Sequence, residues 1–438
     1  EYINVVGHGM DTIFALATAP GKAGIAIIRI SGPDALMALN SITSKPVTDG
    51  RPVVRKLVSS DRSFIDEALV IRFDKPHSFT GEDVVELHVH GSIAVINAVL
   101  RELNGQINLR QAEAGEFTRR ALDNNRLDIA KVEGLADLIE SETEAQRIQA
   151  LRVLSGDLGK LTDYWREKLI RAASLIEATI DFADEEVPVD VSPDVIEIIK
   201  EVKTSITHEI SGNVIAERIR TGFEVAIVGA PNLGKSTLLN FLAGRDAAIT
   251  SEIAGTTRDV IELRMDLGGI PVTLLDTAGI RETDDKVEEI GVSRARVRAS
   301  KADAVVYLYN DNSTLDEFET TDTRIYRFFA KDDDGQFPDG ISGKTGVGVD
   351  ILVRKLTQQF EDVTKDVGVS TRIRHRTAME GALIHLSNAE SIVQQGPELY
   401  DICAEELRIC CRVLDTLIGR VDVESLLDEI FSSFCIGK

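Results

Sequence analysis

Over the first quarter of the chain, apolar and polar residues alternate in short runs such as "GIAIIRI", "EALVIRF" and "DVVELHVH", the period of half-buried strands. The stretch "SIAVINAVLRELN" has helical spacing instead, so residues from about 11 to 125 read as an α+β block. From about residue 128 apolar positions recur three and four apart, through "LDIAKVEGLADLIESETEAQRIQALRVLSGDLGKLTDYWREKLIRAASLIEATIDFA". That pattern, free of proline, predicts a pair of long helices, which "DEEVPVDVSPD" then interrupts. Between about 217 and 366 strands and helices alternate ("FEVAIVG", "KSTLLNFLAG", "PVTLLDTAG", "ADAVVYLY", "GVDILVRKL"), the signature of an α/β domain. Helical character returns from about 372 in "MEGALIHLSNAESIVQQ", "LYDICAEELRICCRVLDTLIG" and "VESLLDEIFSSF". Neither helical half alone offers enough opposing apolar faces for a core, so the two are joined here as one domain with the α/β domain inserted between them.

Composition adds bounds. At 438 residues the chain is long enough for two or three domains. Its 43% hydrophobic and 28% charged content is that of a globular protein, and no apolar run approaches the roughly 18 residues of a membrane span. "TIFALATAPG" follows Asp11 with no basic lead, so it reads as a strand and not as a signal peptide. Residues 1–9 read as a vector leader, since "MDTIFALAT" begins with its own Met10. Cys403, Cys410, Cys411 and Cys435 show no zinc spacing, and a reduced, cytoplasmic compartment is expected. A net charge of −23 argues against polyanion binding by the whole surface, so any nucleic-acid role needs a local patch or a partner.

The sharpest motif is "GAPNLGKST", in which Gly229 precedes Gly234, Lys235 and Ser236 between an apolar strand and a helix. Glycines let backbone N–H groups converge on phosphate oxygens, Lys235 reaches the β and γ phosphates, and Ser236 coordinates Mg²⁺. "DTAG" ends a later buried strand, where Asp276 can hold Mg²⁺ through water and the Gly279 N–H can sense the γ-phosphate. "GTTRD" between them offers Thr257 as a switch ligand to Mg²⁺, and the ordered trio favours a hydrolase over a static binder. Ile280 follows "DTAG" where a Ras-like site would soon place a water-orienting glutamine. Glu288 in "ETDDKVEEIG" is the candidate carboxylate for that task, a solvated acidic loop being the plain alternative. His88 and His90 project from one strand face, but two histidines at i and i+2 do not make a zinc site.

These residues resemble the bacterial and organellar tRNA-modification GTPases of the MnmE (TrmE) type. The resemblance runs nearly end to end, through "GIAIIRISGPDAL", "SFTGEDVVELHVHGS", "GEFTRRALDNNRLDIAKVEGLADLI", "GAPNLGKSTLLN", "AGTTRDV", "DTAGIRETDDKVEEIGV" and the closing "FCIGK". It implies four parts: an N-terminal α+β folate-binding-like and dimerisation domain (10–127), an all-α helical domain in two halves (128–216 and 367–438), and an inserted Ras-like α/β P-loop GTPase domain (217–366). It implies that GTP hydrolysis, with a flavoprotein partner of the MnmG (GidA) type, drives addition of an aminomethyl or carboxymethylaminomethyl group at C5 of wobble uridine in tRNA. A tetrahydrofolate derivative, in the 5-formyl or 5,10-methylene form, is the implied one-carbon donor. The resemblance further implies that two copies pair through the N-terminal domain and that the G domains pair across nucleotide.

By the same resemblance, the GTP-binding positions are Asn232, Leu233, Gly234, Lys235, Ser236, Thr237, Ser251, Glu252, Ile253, Ala254, Gly255, Thr256, Thr257, Asp276, Thr277, Ala278, Gly279, Ser342, Gly343 and Lys344. Asn232, Ser251, Ile253 and Thr256 would hold a potassium ion in place of an arginine finger, and Glu288 would orient the attacking water. Folate positions are Arg29, Glu86, Arg126 and terminal Lys438, where a carboxylate suits the aminopyrimidine edge and cations suit the glutamate tail. The plain alternative for each is an ion pair of small energetic weight. The tail is expected to fold back so that Cys435 and Lys438 lie at the folate site, and Cys435 is a catalytic candidate; a prenylation box fits "CIGK" poorly. Rival readings are a ribosome-assembly or signalling GTPase without base chemistry, and a folate-dependent aminomethyltransferase with a regulatory G domain.

One departure stands out. No "NKxD" guanine-reading element follows "DAVVYLYNDNSTLDEF", although "ISGKTG" retains Ser342 and Lys344 of the second base loop. The chain also looks short for the family. The expectation is that a core strand is missing and that the numbering joins two segments, with a break between about Phe318 and Gly340.

Overall fold

The computed structural model describes residues 11–47, 50–181, 190–230, 232–245, 247–249, 262–276, 301–311, 324–365 and 367–421, with 427, 430, 431, 434 and 437. Two compact units emerge, one of residues 1–136 with 415–438 and one of residues 137–414.

The first unit is built on a six-stranded sheet ordered β3-β4-β5-β2-β1-β6, comprising β1 (Thr12–Leu16), β2 (Ile25–Ser31), β3 (Val53–Val58), β4 (Phe64–Phe73), β5 (Val84–His90) and β6 (Leu109–Gln111). In β2, Ala26, Ile28 and Ile30 point to one face and join Val85, Leu87 and Val89 of β5 in the core. Helices α1 (Ala35–Ile42) and α2 (Ile93–Asn104) cover that face, burying Leu39, Val99 and Leu103 in the same cluster. The alternate residues Ile27, Arg29, Glu86 and His88 therefore share the opposite face, with Arg29 directly across from Glu86.

Helix α3 (Glu116–Asp123) is fastened below that opposite face by a buried charge network. Arg120, only 2% exposed, donates to Asp11 O at 2.9 Å, Asp11 Oδ1 at 2.8 Å and Glu116 Oε1 at 3.1 Å, while Arg110 donates to Glu116 Oε2 at 2.8 Å. Burial alone would raise the Glu116 carboxyl, but the bonds from Arg110, the Glu113 backbone and Arg120 hold it below its ordinary value. The next residue of the helix, Phe117, packs with Ile13, Ala15 and Ala112.

In the second unit, helices α5 (Glu144–Leu154), α6 (Asp157–Asp181), α7 (Ser192–Thr221), α10 (Ile373–Val393) and α11 (Tyr400–Asp415) surround the inserted domain's attachment. The predicted long pair over 128–184 is in fact α4 (Ile129–Glu140), α5 and α6. The first break follows from a capping box, Thr143 with Gln146, and the second from Gly156 at φ +90°, a left-handed turn that a continuous helix cannot contain.

The inserted sheet is ordered β12-β11-β10-β7-β9-β8, from β7 (Phe223–Gly229), β8 (Glu262–Leu267), β9 (Ile270–Asp276), β10 (Ala304–Tyr309), β11 (Arg324–Ala330) and β12 (Gly340–Ile341), with α8 (Lys235–Ala243) and α9 (Val349–Val363). All pairs are parallel except β8–β9, a hairpin turned at Gly268 and Gly269, whose φ of +66° and +89° no side-chain-bearing residue adopts readily. Every residue of β9 is buried, as expected of a central parallel strand. The expectation of a missing core strand is corrected: β11 pairs in parallel with β10 along six residues, from Ala304↔Arg324 to Tyr309↔Phe329. "RIYRFFA" mixes charge into that strand, because β11 is covered on one side only, and so it escapes a search for a continuous apolar run. Phe318–Thr323 lie outside the described residues.

The chain leaves the helices through Gly222 and returns beside its exit. Asn213, fully buried in α7, donates to Ser370 O at 2.9 Å and Ser370 Oγ at 3.1 Å; Glu209 Oε1 accepts from Ser370 N at 2.7 Å, and Arg220 Nε donates to Thr371 O at 3.2 Å. Loss of the Asn213 amide leaves a buried carbonyl short of a donor, at about 1–3 kcal/mol. Asn213→Ala is therefore expected to lower the urea midpoint of the helical part, read through Trp165, the chain's one tryptophan, which is packed on α6 with its Nε1 on Ser205 Oγ at 2.9 Å. An unchanged midpoint would contradict this role for the joint.

Candidate functional site

The carboxyl ends of β7, β9, β11 and β12 meet along one edge of the inserted sheet, the edge at which open α/β sheets bind ligands. After β7 the backbone curls through Gly229 (φ +150°), Asn232 (φ +64°) and Gly234 (φ +88°) before α8 starts at Lys235. A β carbon on Gly229 would lie 2.5 Å from Leu308 O, so the turn requires glycine there. Asparagine is among the few residues that tolerate the left-handed region at 232. The loop and the N-terminus of α8 together form an anion cradle.

Lys235 is 5% exposed, and its Nζ donates to Gly229 O at 2.7 Å and Ala230 O at 3.0 Å. Burial pushes the ammonium below its ordinary lysine value, and the Asp276 charge opposes that shift. A buried cation held on carbonyl oxygens is a site waiting for an anion. Ser236 Oγ donates to Asp276 Oδ2 at 2.7 Å, which places two hard oxygen donors beside the cradle and fits a magnesium ion bridging protein and phosphate. Thr237 and Leu233 follow in the same loop and first turn.

Beyond α8 lies the loop after β12. A β carbon on Gly343 would stand 2.4 Å from Leu238 N, so this loop rests directly on the first turns of α8. Ser342 is buried; its Oγ donates to Asp333 Oδ1 at 2.6 Å and accepts from Lys344 N and Thr345 N, each at 3.1 Å. Lys344 Nζ stands 3.6 Å from Asp333 Oδ2. Asp333, which reading the sequence missed, is the carboxylate that this loop gathers beside Ser342 and Lys344. It lies three residues past Ala330, the last residue of β11, in "AKDD", so the element thought absent is present with alanine in the asparagine position. Lys331, at φ +63°, brings its Cγ to 4.0 Å from where a β carbon on Gly234 would be, so its stem lies over the phosphate loop. The signal was local: a strand end followed at once by Lys-Asp-Asp.

Ser251, Glu252, Ile253, Ala254, Gly255, Thr256 and Thr257, Thr277, Ala278 and Gly279, and Glu288 all lie outside the described residues. Of the potassium set, Asn232 alone is described.

In the first unit, Arg29 donates to Glu86 Oε1 from Nε at 3.0 Å and from Nη2 at 2.9 Å. Its guanidinium carbon lies 5.3 Å from the Phe79 ring centroid and 5.7 Å from that of Phe117, and His88 Nε2 is 3.4 Å from Glu86 Oε2. Neither phenylalanine was singled out from the sequence; α3 and the 79–81 turn bring them in. Two rings, a guanidinium and a carboxylate form a patch whose chemistry fits a flat, amino-substituted heteroaromatic ligand. Arg126 is exposed and reaches the same turn, its Cγ 3.3 Å from where a β carbon on Gly81 would stand. Among the described residues the patch and the turn account for Arg29, Glu86 and Arg126, while Cys435 and Lys438 fall outside them. Gly437, between those two, is described: a β carbon there would lie 2.1 Å from Leu16 O, one strand row from Arg29, because Leu16 pairs with Ile28 and Ala15 with Arg29. Upstream, Phe431 and Phe434 pack on Val132, and Phe431 covers Gly115.

The TrmE N-terminus family of GTP-binding proteins matches residues 12–126, and the MnmE helical domain family matches residues 129–435. The tRNA modification GTPase MnmE of Roseobacter denitrificans is 57% identical over 430 residues, covering 98% of this chain and 100% of the relative. That of Ruegeria sp. (strain TM1040) is 56% identical over 431 residues with the same coverage. Full coverage of both relatives corrects the expectation that the chain is short for its family. Among solved structures, Aquifex aeolicus Era bound to GDP.AlF4- is 25% identical and aligns with 31% of this chain and 56% of its own, at a TM-score of 0.24. With the phosphate cradle, the base loop and both family matches in agreement, the chain belongs to the MnmE (TrmE) family of tRNA modification GTPases.

Proposed function

We propose that this GTPase acts on tRNA, where GTP turnover drives addition of an aminomethyl or carboxymethylaminomethyl group to C5 of wobble uridine, with a flavoprotein partner of the MnmG (GidA) type and a tetrahydrofolate one-carbon donor. The observation that carries the reading is the Arg29–Glu86–Phe79–Phe117 patch in the same chain as the GTPase, for which a plain nucleotide switch has no use. The curated relatives' names, tRNA modification GTPase, supply the substrate class.

In this account Lys235 exchanges its two carbonyl partners for β- and γ-phosphate oxygens, and the N–H groups from Asn232 to Thr237 take the remaining phosphate charge. Ser236 and Asp276 would hold magnesium, with Thr257 as a further ligand, and the bound ion would offset charge that develops on the phosphates. Glu288 orients the attacking water, and Gly279 senses the γ-phosphate. Asp333 accepts the guanine N1–H and 2-amino hydrogens in place of Ser342 and Lys344. Potassium, for which Asn232, Ser251, Ile253 and Thr256 are the candidate ligands, would supply the positive charge that another GTPase takes from arginine.

At the second site, Glu86 meets the aminopyrimidine edge of the folate, the two phenylalanine rings flank it, and Arg29, Arg126 and Lys438 serve its carboxylates. Close approach of Gly437 to Leu16 supports a tail that brings Cys435 and Lys438 to this patch. Pairing of two copies through the 10–127 domain has support in the open sheet face, where Val54, Leu69, His88 and Ile27 line up across four strands and Val54 is 56% exposed. The four-part division at 128, 217 and 367 and a cytoplasmic location complete the reading. Cys403 and Cys410, buried as free thiols, support a reduced compartment, and no helix among the described residues is long and apolar enough to cross a membrane.

Two outcomes are expected. GTP turnover in potassium should exceed that in sodium by about tenfold or more, and Asn232→Ala should erase the difference; equal rates in both salts would remove potassium from the account. Glu86→Gln should weaken binding of a reduced folate, followed by equilibrium titration, by about tenfold or more, as loss of a charge-assisted bond does, with GTP turnover of the unpaired protein retained. Unaltered folate affinity would return Arg29 and Glu86 to the status of a structural ion pair.

A further inference from the structure

The base-reading loop carries a feature that the family reading does not assign. Ala330 ends β11 where a guanine-reading element ordinarily places an asparagine, and its methyl group offers no hydrogen bond to fix the turn that follows. Yet Asp333, at the tip of that turn, must present its carboxylate in one orientation to read a base. Something else must hold the turn.

The adjacent residue does so. Asp332 is 5% exposed, and its carboxylate accepts from two successive backbone N–H groups, Gln336 N to Oδ1 at 2.8 Å and Phe337 N to Oδ2 at 2.9 Å. Its own N–H donates to Ile341 O at 3.3 Å, and its carbonyl accepts from Gly335 N at 3.4 Å, so both ends of the 332–341 loop are gathered on this one residue. The fit is close. A β carbon on Gly340 would lie 1.9 Å from Asp332 Oδ2, so the carboxylate occupies space that any other residue at 340 would fill. Phe337, anchored through its N–H, stacks on Phe329 of β11 with centroids 4.1 Å apart. Phe329 N donates to Asp339 O at 2.9 Å, and the Tyr309 hydroxyl bonds to the Asp339 carboxylate. The turn that begins at Lys331 is thus closed from inside by Asp332, with Asp333 left outside, facing Ser342.

We propose that Asp332 is a positioning residue for guanine recognition, which fixes the 332–337 turn and so aims the Asp333 carboxylate, in the role that Ala330 cannot fill. The inference rests on the GTPase reading of the site and deepens it. Successive aspartates have divided the work: the buried one binds backbone, the exposed one binds base.

The test compares GDP with IDP, which keeps N1–H but lacks the 2-amino group and so reports the bond that the base-reading carboxylate makes to that group. In the wild-type full-length protein, GDP should bind about tenfold or more tighter than IDP, the weight of a hydrogen bond to a charged group. Asp332→Ala should bring that ratio close to unity, while Asp332→Asn, which keeps one acceptor oxygen, should retain an intermediate ratio. In an Asp333→Ala background, adding Asp332→Ala should change GDP affinity by less than about twofold, because a residue that acts only through Asp333 has nothing left to aim. A wild-type ratio retained in Asp332→Ala, or losses that multiply fully in the double variant, would overturn the proposal. A wild-type protein that binds ADP as tightly as GDP would instead overturn the guanine reading itself.

Discussion

A lysine ammonium taken out of water is the constraint around which the nucleotide site is organised. Lys235 is held between two carbonyl oxygens, with Asp276 as the charge that opposes its depressed pKa. A buried ammonium without a full counter-charge is costly, and that cost falls when phosphate oxygens arrive. Keeping it there requires a backbone that turns through left-handed conformations at Asn232 and Gly234, and a strand and helix rigid enough to fix both ends. The loop after β12 completes the sheet edge: Gly343 sits on α8, and Ser342 bonds to Asp333.

The second site obeys the same rule at lower charge. Arg29 is matched by Glu86 across one strand row and by two aromatic faces. Phe117 is set beside it by α3, which Arg120 ties to Asp11 and Glu82 and which Arg110 holds through Glu116. Removing one partner of so buried a network leaves uncompensated charge, so the network fixes α3 and with it one wall of the patch. The phosphate cradle and the Arg29–Glu86 patch thus belong to separate compact units. Within the second unit, the Asn213, Glu209 and Arg220 bonds to residues 370–371 tie both crossings of the GTPase domain to α7.

Much of this was legible in the residues. "GAPNLGKST" works through backbone geometry set by local glycines, and β9 reads as a buried strand because all of its residues are buried. Arg29 and Glu86 come only with the family resemblance, since on residue type alone each reads as an ion pair of small weight. What was not legible depends on pairing and docking. β11 is identified as a core element by its neighbour β10 and not by its own mixed composition, and with the strand unseen Asp333 lost the context that marks it. Phe79 and Phe117 lie 38 positions apart and meet through α3. The breaks within 128–184 follow from capping at Thr143 and from Gly156, features that an unbroken helical period conceals.

The central claim is that this edge of the sheet is built for a guanine nucleotide, with Asp333 reading the base. Xanthine carries an oxygen where guanine carries its 2-amino group, so it needs a donor where guanine needs an acceptor, and an amide at 333 supplies one. Titration of GDP and XDP into Asp333→Asn is the most direct measurement. The account predicts that the wild-type preference for GDP reverses in favour of XDP by about tenfold or more. A variant that still prefers GDP as the wild type does would contradict it.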